Sequence, residues 1–156
     1  MNDNSDTYLE TIKFVCQFDN VIIKSCYPNS NISSSNELSN IKDYYTAIAN
    51  YFASRNIRLI IVTSPPLIPL KTNQQNALRA RELSNWLTET NFGTNVQIFN
   101  LFDQLAEKHG KQANMLAKQY RRFIPFDSHP NKNANTNVAD EFVKFMLANN
   151  VLDMNK

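Results

Sequence analysis

Apolar positions along this chain recur at two different intervals, and the switching between them lays out a succession of helices and strands. Tyr8, Ile12, Val15 and Cys16 stand three to four residues apart. Asp6 or Thr7 precedes them and can cap the first turn, so a helix is expected there. Asp19-Asn20 is a turn pair. The β-branched run Val21-Ile22-Ile23 behind it suits a strand buried on both faces. Residues 24–36, rich in Ser, Asn and Pro, read as a loop. From Ser39 the spacing of Ile41, Tyr45, Ile48 and Phe52 predicts an amphipathic helix ending near Arg55-Asn56. Leu59-Ile60-Ile61-Val62 is the most apolar run, a second buried strand. Pro65-Pro66, just past Thr63-Ser64, forbid its continuation.

The second half repeats the alternation. A helix over 74–90 turns Ala80, Leu83 and Leu87 inward with Trp86 beside them, and Asn91-Phe92-Gly93 ends it. Val96-Gln97-Ile98-Phe99 makes a third short strand. Leu101, Phe102 and Leu105, then Ala113, Leu116, Ala117 and Tyr120, keep helical spacing as far as Pro125. Val138, Phe142, Phe145 and Met146 form the stripe of a closing helix. Strands alternating with helices of this length imply parallel pairing through right-handed crossovers. The expected fold is a three-layer α/β/α sandwich with a short parallel sheet, flavodoxin-like, over a single domain spanning 1–156. In such a sheet the loops that follow strands share one edge, where ligands bind. Segments 24–31, 63–69 and 126–131 are therefore expected to converge.

Composition narrows the function classes. With 42% hydrophobic and 19% charged residues, the chain can build a core and is not a disordered tract. Only 2 glycines exclude a glycine-rich phosphate cradle. A net charge of +2, spread along the chain, argues against nucleic-acid or membrane-surface partners. No apolar run reaches membrane-spanning length, and the polar start Met1–Asp6 lacks a signal-peptide core, so a cytoplasmic location is expected. In that setting Cys16 and Cys26 are free thiols. The 2 histidines have no ligand-like spacing with cysteine, so neither a metal site nor another cofactor is expected.

Chemistry concentrates at Asp127-Ser128-His129-Pro130-Asn131, just before the closing helix. An imidazole two residues behind a carboxylate, backed by a proline that fixes the chain, can serve as an oriented base. The residue types at the shared edge suggest nucleophilic acyl transfer, with His129 as base, Asp127 orienting it, and Ser25 or Cys26 attacking. The plainer alternative is that His129 only caps the last helix and ties the loop. His109, in the polar stretch Glu107-Lys108-His109-Gly110, is expected at an exposed helix end. Trp86 and the other aromatics are expected to pack the core.

The stretch Asp127-Ser128-His129-Pro130-Asn131, followed by a terminal helix, resembles the last conserved block of the SGNH/GDSL hydrolases. The strand Val21-Ile22-Ile23 with its polar loop is similar to the family's strand and block bearing the oxyanion-hole Asn. Leu59 to Leu67 is similar to the strand and proline turn that follow. The resemblance covers most of this chain, equivalent to the C-terminal half to two-thirds of the family domain. It implies ester or acetyl hydrolysis of a small substrate by a Ser-His-Asp type mechanism, with His129 and Asp127 completing the triad. It also implies oxyanion or binding roles for Asn29 and Ser64. The sequence departs from the family in three places. No Gly-Asp-Ser block precedes Val21, Lys24–Asn29 stands where Gly-x-Asn-Asp is usual, and Asp127 precedes His129 by two residues where three is common. Three readings stay open: a piece of a longer SGNH-like protein, a non-catalytic SGNH-like binding or interaction domain, or an enzyme with Ser25 or Cys26 as substitute nucleophile. Without the family's first strand, Val21–Ile23 would present an unpaired edge, so a homodimer or another partner covering it is expected.

Overall fold

Three parallel strands form the centre of the computed structural model, which describes residues 10–124 and 126–151. They are β1 (Asn20–Lys24), β2 (Arg58–Val62) and β3 (Val96–Phe99), ordered β1-β2-β3 with Ile22 opposite Ile60 and Ile60 opposite Gln97. The helices are α1 (10–15), α2 (Ser35–Ala53), α3 (Gln74–Glu89), α4 (Leu101–Leu105) and α5 (Lys132–Ala148). Tyr8 and the caps expected at Asp6 or Thr7 lie outside the described residues.

The central strand explains the layering. Leu59, Ile60 and Ile61 are each 0% exposed, because successive side chains point to opposite faces and both faces are covered. Leu59 and Ile61 pack with Tyr45, Phe52, Leu83 and Leu87 of α2 and α3. Ile60 and Val62 pack on the other face with Phe99, Leu116 and the α5 residues Ala134 and Met146. The α/β/α sandwich with a short parallel sheet is therefore the observed architecture. Both crossover helices lie on one face because the chain steps in one direction across the sheet with right-handed connections.

β1 is the exception to double-sided burial. Val21 is 8% exposed but Ile22 is 48% exposed, since β1 stands at the sheet edge and a groove separates Ile22 from Val138 and Phe142 of α5.

Two helix boundaries differ from the sequence pattern, each for a local reason. α2 begins at Ser35, before Ser39, because the Ser34 hydroxyl accepts the Glu37 amide at 3.1 Å. The Glu37 carboxylate in turn accepts from the Ser33 hydroxyl and amide, at 2.6 and 2.8 Å. Both bonds favour its charged form and hold it below the ordinary carboxylate value. The spacing that continued past Leu105 is not a helix. The chain leaves α4, turns through Gly110 and Asn114 at positive φ, and returns so that Ala106 bridges Leu116. Met115, Leu116 and Ala117 are buried consecutively, as in an extended segment, with the Leu116 amide donating to the Leu67 carbonyl at 2.8 Å.

Candidate active site

The loops that leave the strands meet at the C-terminal edge of the sheet. After β1 the chain runs extended to Cys26, then makes a 3-10 turn over Tyr27–Ser30, whose φ Pro28 restricts. The buried Ser30 hydroxyl donates to the Pro65 carbonyl at 2.8 Å and joins this turn to the loop after β2. In that second loop Thr63 Oγ1 accepts the Phe102 amide at 2.9 Å, at the start of α4. The 126–131 loop is seated by Ser128, which is 0% exposed, its hydroxyl 3.5 Å from the Ile68 amide.

Asn131 fixes where this loop ends. Its side-chain oxygen accepts the Ala134 amide at 3.0 Å and caps α5, while its nitrogen donates to the carbonyls of Gln119 and Arg121 at 2.7 and 3.2 Å. The cap of the last helix is therefore Asn131 and not His129. Asn131→Ala is expected to cost about 2 kcal/mol, because the cap and two anchoring bonds are lost together. Asn131→Asp, which keeps the cap acceptor, should lose about half of that on the same grounds. Urea unfolding of the two variants checks the difference.

The loop geometry brings Asp127 and His129 into contact across their two-residue spacing. Asp127 Oδ1 takes both the His129 amide, at 2.9 Å, and His129 Nδ1, at 2.6 Å. Its other oxygen lies 3.4 Å from Arg122 Nη1. The His129 amide, then its ring, with the Arg122 charge adding to both, hold the Asp127 carboxyl below its ordinary value. An ionised carboxylate can only accept, so Nδ1 carries the proton in the neutral ring and Nε2 keeps the lone pair. Tyr27 meets the imidazole edge to face, with ring centroids 4.7 Å apart at 80°. This arrangement presents a base whose orientation is set from two sides.

His129 borders an open apolar groove of about 530 Å³ between β1 and α5, lined also by Ile22, Cys26, Tyr27, Phe99 and Phe142. The alternation of β1 decides which side chains reach it. Ile22, Lys24 and Cys26 fall on the α5 face, and Cys26 is an exposed free thiol. Ser25 belongs with Val21 and Ile23 on the α2 face, where its hydroxyl shares a 2.9 Å hydrogen bond with the Tyr45 hydroxyl. Asn29 and Ser64 also lie elsewhere. They line a small cavity of about 10 Å³ beside Ser84 and Phe102 of the α3 layer. The Ser64 hydroxyl is buried there without a hydrogen-bond partner among the described residues. The structure thus places Cys26 and His129, the latter bonded to Asp127, at one groove and leaves Ser25, Asn29 and Ser64 outside its lining.

No known protein family, curated protein or solved structure matches the chain. The site's own geometry therefore carries the functional reading. Tyr27 and Arg122 are contacts of the Asp127–His129 pair that the sequence pattern did not single out. In the sequence Tyr27 is one aromatic in a loop rich in Ser, Asn and Pro, and Arg122 is one of two adjacent arginines. His109 is exposed in a bend and not at a helix end, since α4 ends at Leu105. Among the described residues, no three His, Cys, Asp or Glu side chains cluster to hold a metal ion, and no helix is long and apolar enough to cross a membrane.

Proposed function

We propose that this chain is an SGNH-like hydrolase domain acting on ester or acetyl groups of small substrates, with Asp127 and His129 as the base half of a triad. The observation that supports it most is the 2.6 Å contact between an anionic Asp127 and His129 Nδ1, beside a groove that an acyl group can enter. The attacking group that best fits this groove is the Cys26 thiol. His129 Nε2 takes its proton, and the thiolate adds to the substrate carbonyl carbon. Collapse of the tetrahedral adduct breaks the C–O bond, the leaving alcohol takes the proton from Nε2, and an acyl-thioester remains. Water, deprotonated by the same nitrogen, then attacks the thioester to release the acid and restore the thiol.

A second reading is favoured by a specific observation. Ser25 is engaged by Tyr45, while Asn29 and Ser64 sit in another cavity, so the groove contains no side-chain amide or hydroxyl from the family-like oxyanion set. A domain of this kind would bind an apolar ligand between β1 and α5 without turning it over.

Hydrolysis of p-nitrophenyl acetate separates the readings. Turnover above buffer, lost in Cys26→Ala and retained in Ser25→Ala, is the expected result. Folded protein without turnover above buffer overturns the enzyme reading and favours the binding domain.

A further inference from the structure

The outer edge of β1 carries an inference independent of the chemistry at His129. The Asp19 carbonyl accepts the Arg58 amide at 2.9 Å, so residue 19 faces β2, and the alternation of a strand turns residues 21 and 23 the same way. The backbone N–H and C=O groups of Asn20, Ile22 and Lys24 therefore face away from β2, on the side where, among the described residues, no further strand pairs with β1. Apolar surface surrounds this edge. Ile22 is 48% exposed, and Phe14, Phe18 and Tyr44 are at least half exposed. Grooves of about 530 and 680 Å³ flank the strand on its two faces. β1 has no proline to blunt its edge, and its one charge is at its end.

We propose that β1 pairs antiparallel with β1 of a second copy of this chain, about a twofold axis at Ile22, joining two three-stranded sheets into one. This register is selected by the strand itself. It places Asn20 opposite Lys24 of the partner subunit and Ile22 opposite Ile22 of the partner subunit. Every outward-facing residue then sits in the closely hydrogen-bonded kind of pair, which exchanges two N–H···O bonds. Lysine faces asparagine, and Val21 faces Ile23 of the partner subunit. A shift of the axis to Lys24 would set lysine against lysine, a shift to Val21 or Ile23 would leave one of the three outward-facing residues without a partner inside the strand, and an axis between two residues would set outward-facing groups against groups already bonded to β2. Such self-complementarity is what an isologous twofold contact requires, and it is why the occupant is a second copy.

Sedimentation equilibrium of the full chain under reducing conditions tests the pairing, with circular dichroism confirming that each variant is folded. A concentration-dependent monomer–dimer equilibrium is expected. Ile22→Pro removes the outward amide at the axis without touching the β2 ladder and should abolish the dimer. Asn20→Lys sets like charges opposite each other twice and should weaken the dimer roughly tenfold, whereas Asn20→Glu should tighten it by a similar factor. A monomer at every accessible concentration overturns the proposal. So does a dimer whose dissociation constant is unmoved by all three substitutions, as one formed through another surface would be.

Discussion

Phe102→Ala is expected to remove about 3–5 kcal/mol of folding stability, the range for deleting a fully buried aromatic ring. Phe102 is 1% exposed and packs among Leu59, Ala80, Leu83 and Leu87, where the central strand meets α3. The Arg81 guanidinium stands over its ring at 4.7 Å and is itself paired with Asp103, so the ring supports both apolar and charged neighbours. The site has little freedom to collapse when the ring is removed. Asn100 Oδ1 accepts the Ser84 hydroxyl at 2.9 Å and the Asp103 amide at 3.0 Å, which pins α4 to α3. The ring also borders the small cavity beside Ser64, so its loss enlarges an existing gap. Domains of this size are stable by about 5–15 kcal/mol, and a loss of this magnitude should move the urea midpoint by about 2 M or more. Phe123→Ala is the control: its side chain is fully exposed, and its midpoint should move by less than about 0.5 kcal/mol equivalent. Equal shifts for the two variants would refute the packing described here.

The contrast between these phenylalanines also shows what could be read from the chain. The aliphatic run Leu59-Ile60-Ile61-Val62 specifies β2 almost to the residue, because a strand buried on both faces leaves no polar position within that run, whereas the half-buried β3 admits Gln97 between Val96 and Ile98. β1 has the same composition as a doubly buried strand yet lies at an edge. Strand order depends on what pairs beside it, which no local pattern encodes. Leu116 and Ala117 mimicked a helical stripe because they stand three to four residues from Ala113 and Tyr120. Only the return of the chain onto Ala106 and Leu67 separates that from a helix. At the candidate site, the Asp127–His129 pairing was legible because the two residues are adjacent in sequence. Which of Ser25 and Cys26 shares their groove was not, since a one-residue difference along a strand selects opposite faces of the sheet. Asn29 and Ser64 occupy the expected loops but line the small cavity on the α3 side, where the Ser64 hydroxyl is buried.

His129→Ala should lower kcat/KM for p-nitrophenyl acetate by about 10²- to 10⁴-fold, the usual contribution of a positioned general base. Substitution should leave the fold intact, since His129 is exposed and the loop is held by Ser128 and Asn131. Asp127→Asn should lower the rate in the same direction by a different route. An amide can donate to Nδ1, which shifts the ring proton to Nε2 and removes the base from the groove side. The two variants part company in their stability at low pH. The folded-state pKa of Asp127 lies below its ordinary value of 3.8, so its contribution is fully present above that value and is lost as pH falls through the lower folded one. The melting temperature of the native protein should therefore exceed that of Asp127→Asn by a constant margin from neutrality down to about pH 3.8, and the margin should shrink below it. A margin that instead grew on acidification would mean that Asp127 is not held as an anion by His129. Turnover unchanged in His129→Ala would place any hydrolysis outside this groove. Observed together, a rate that needs His129 and an acid-labile margin that needs Asp127 would tie both residues to one charged pair.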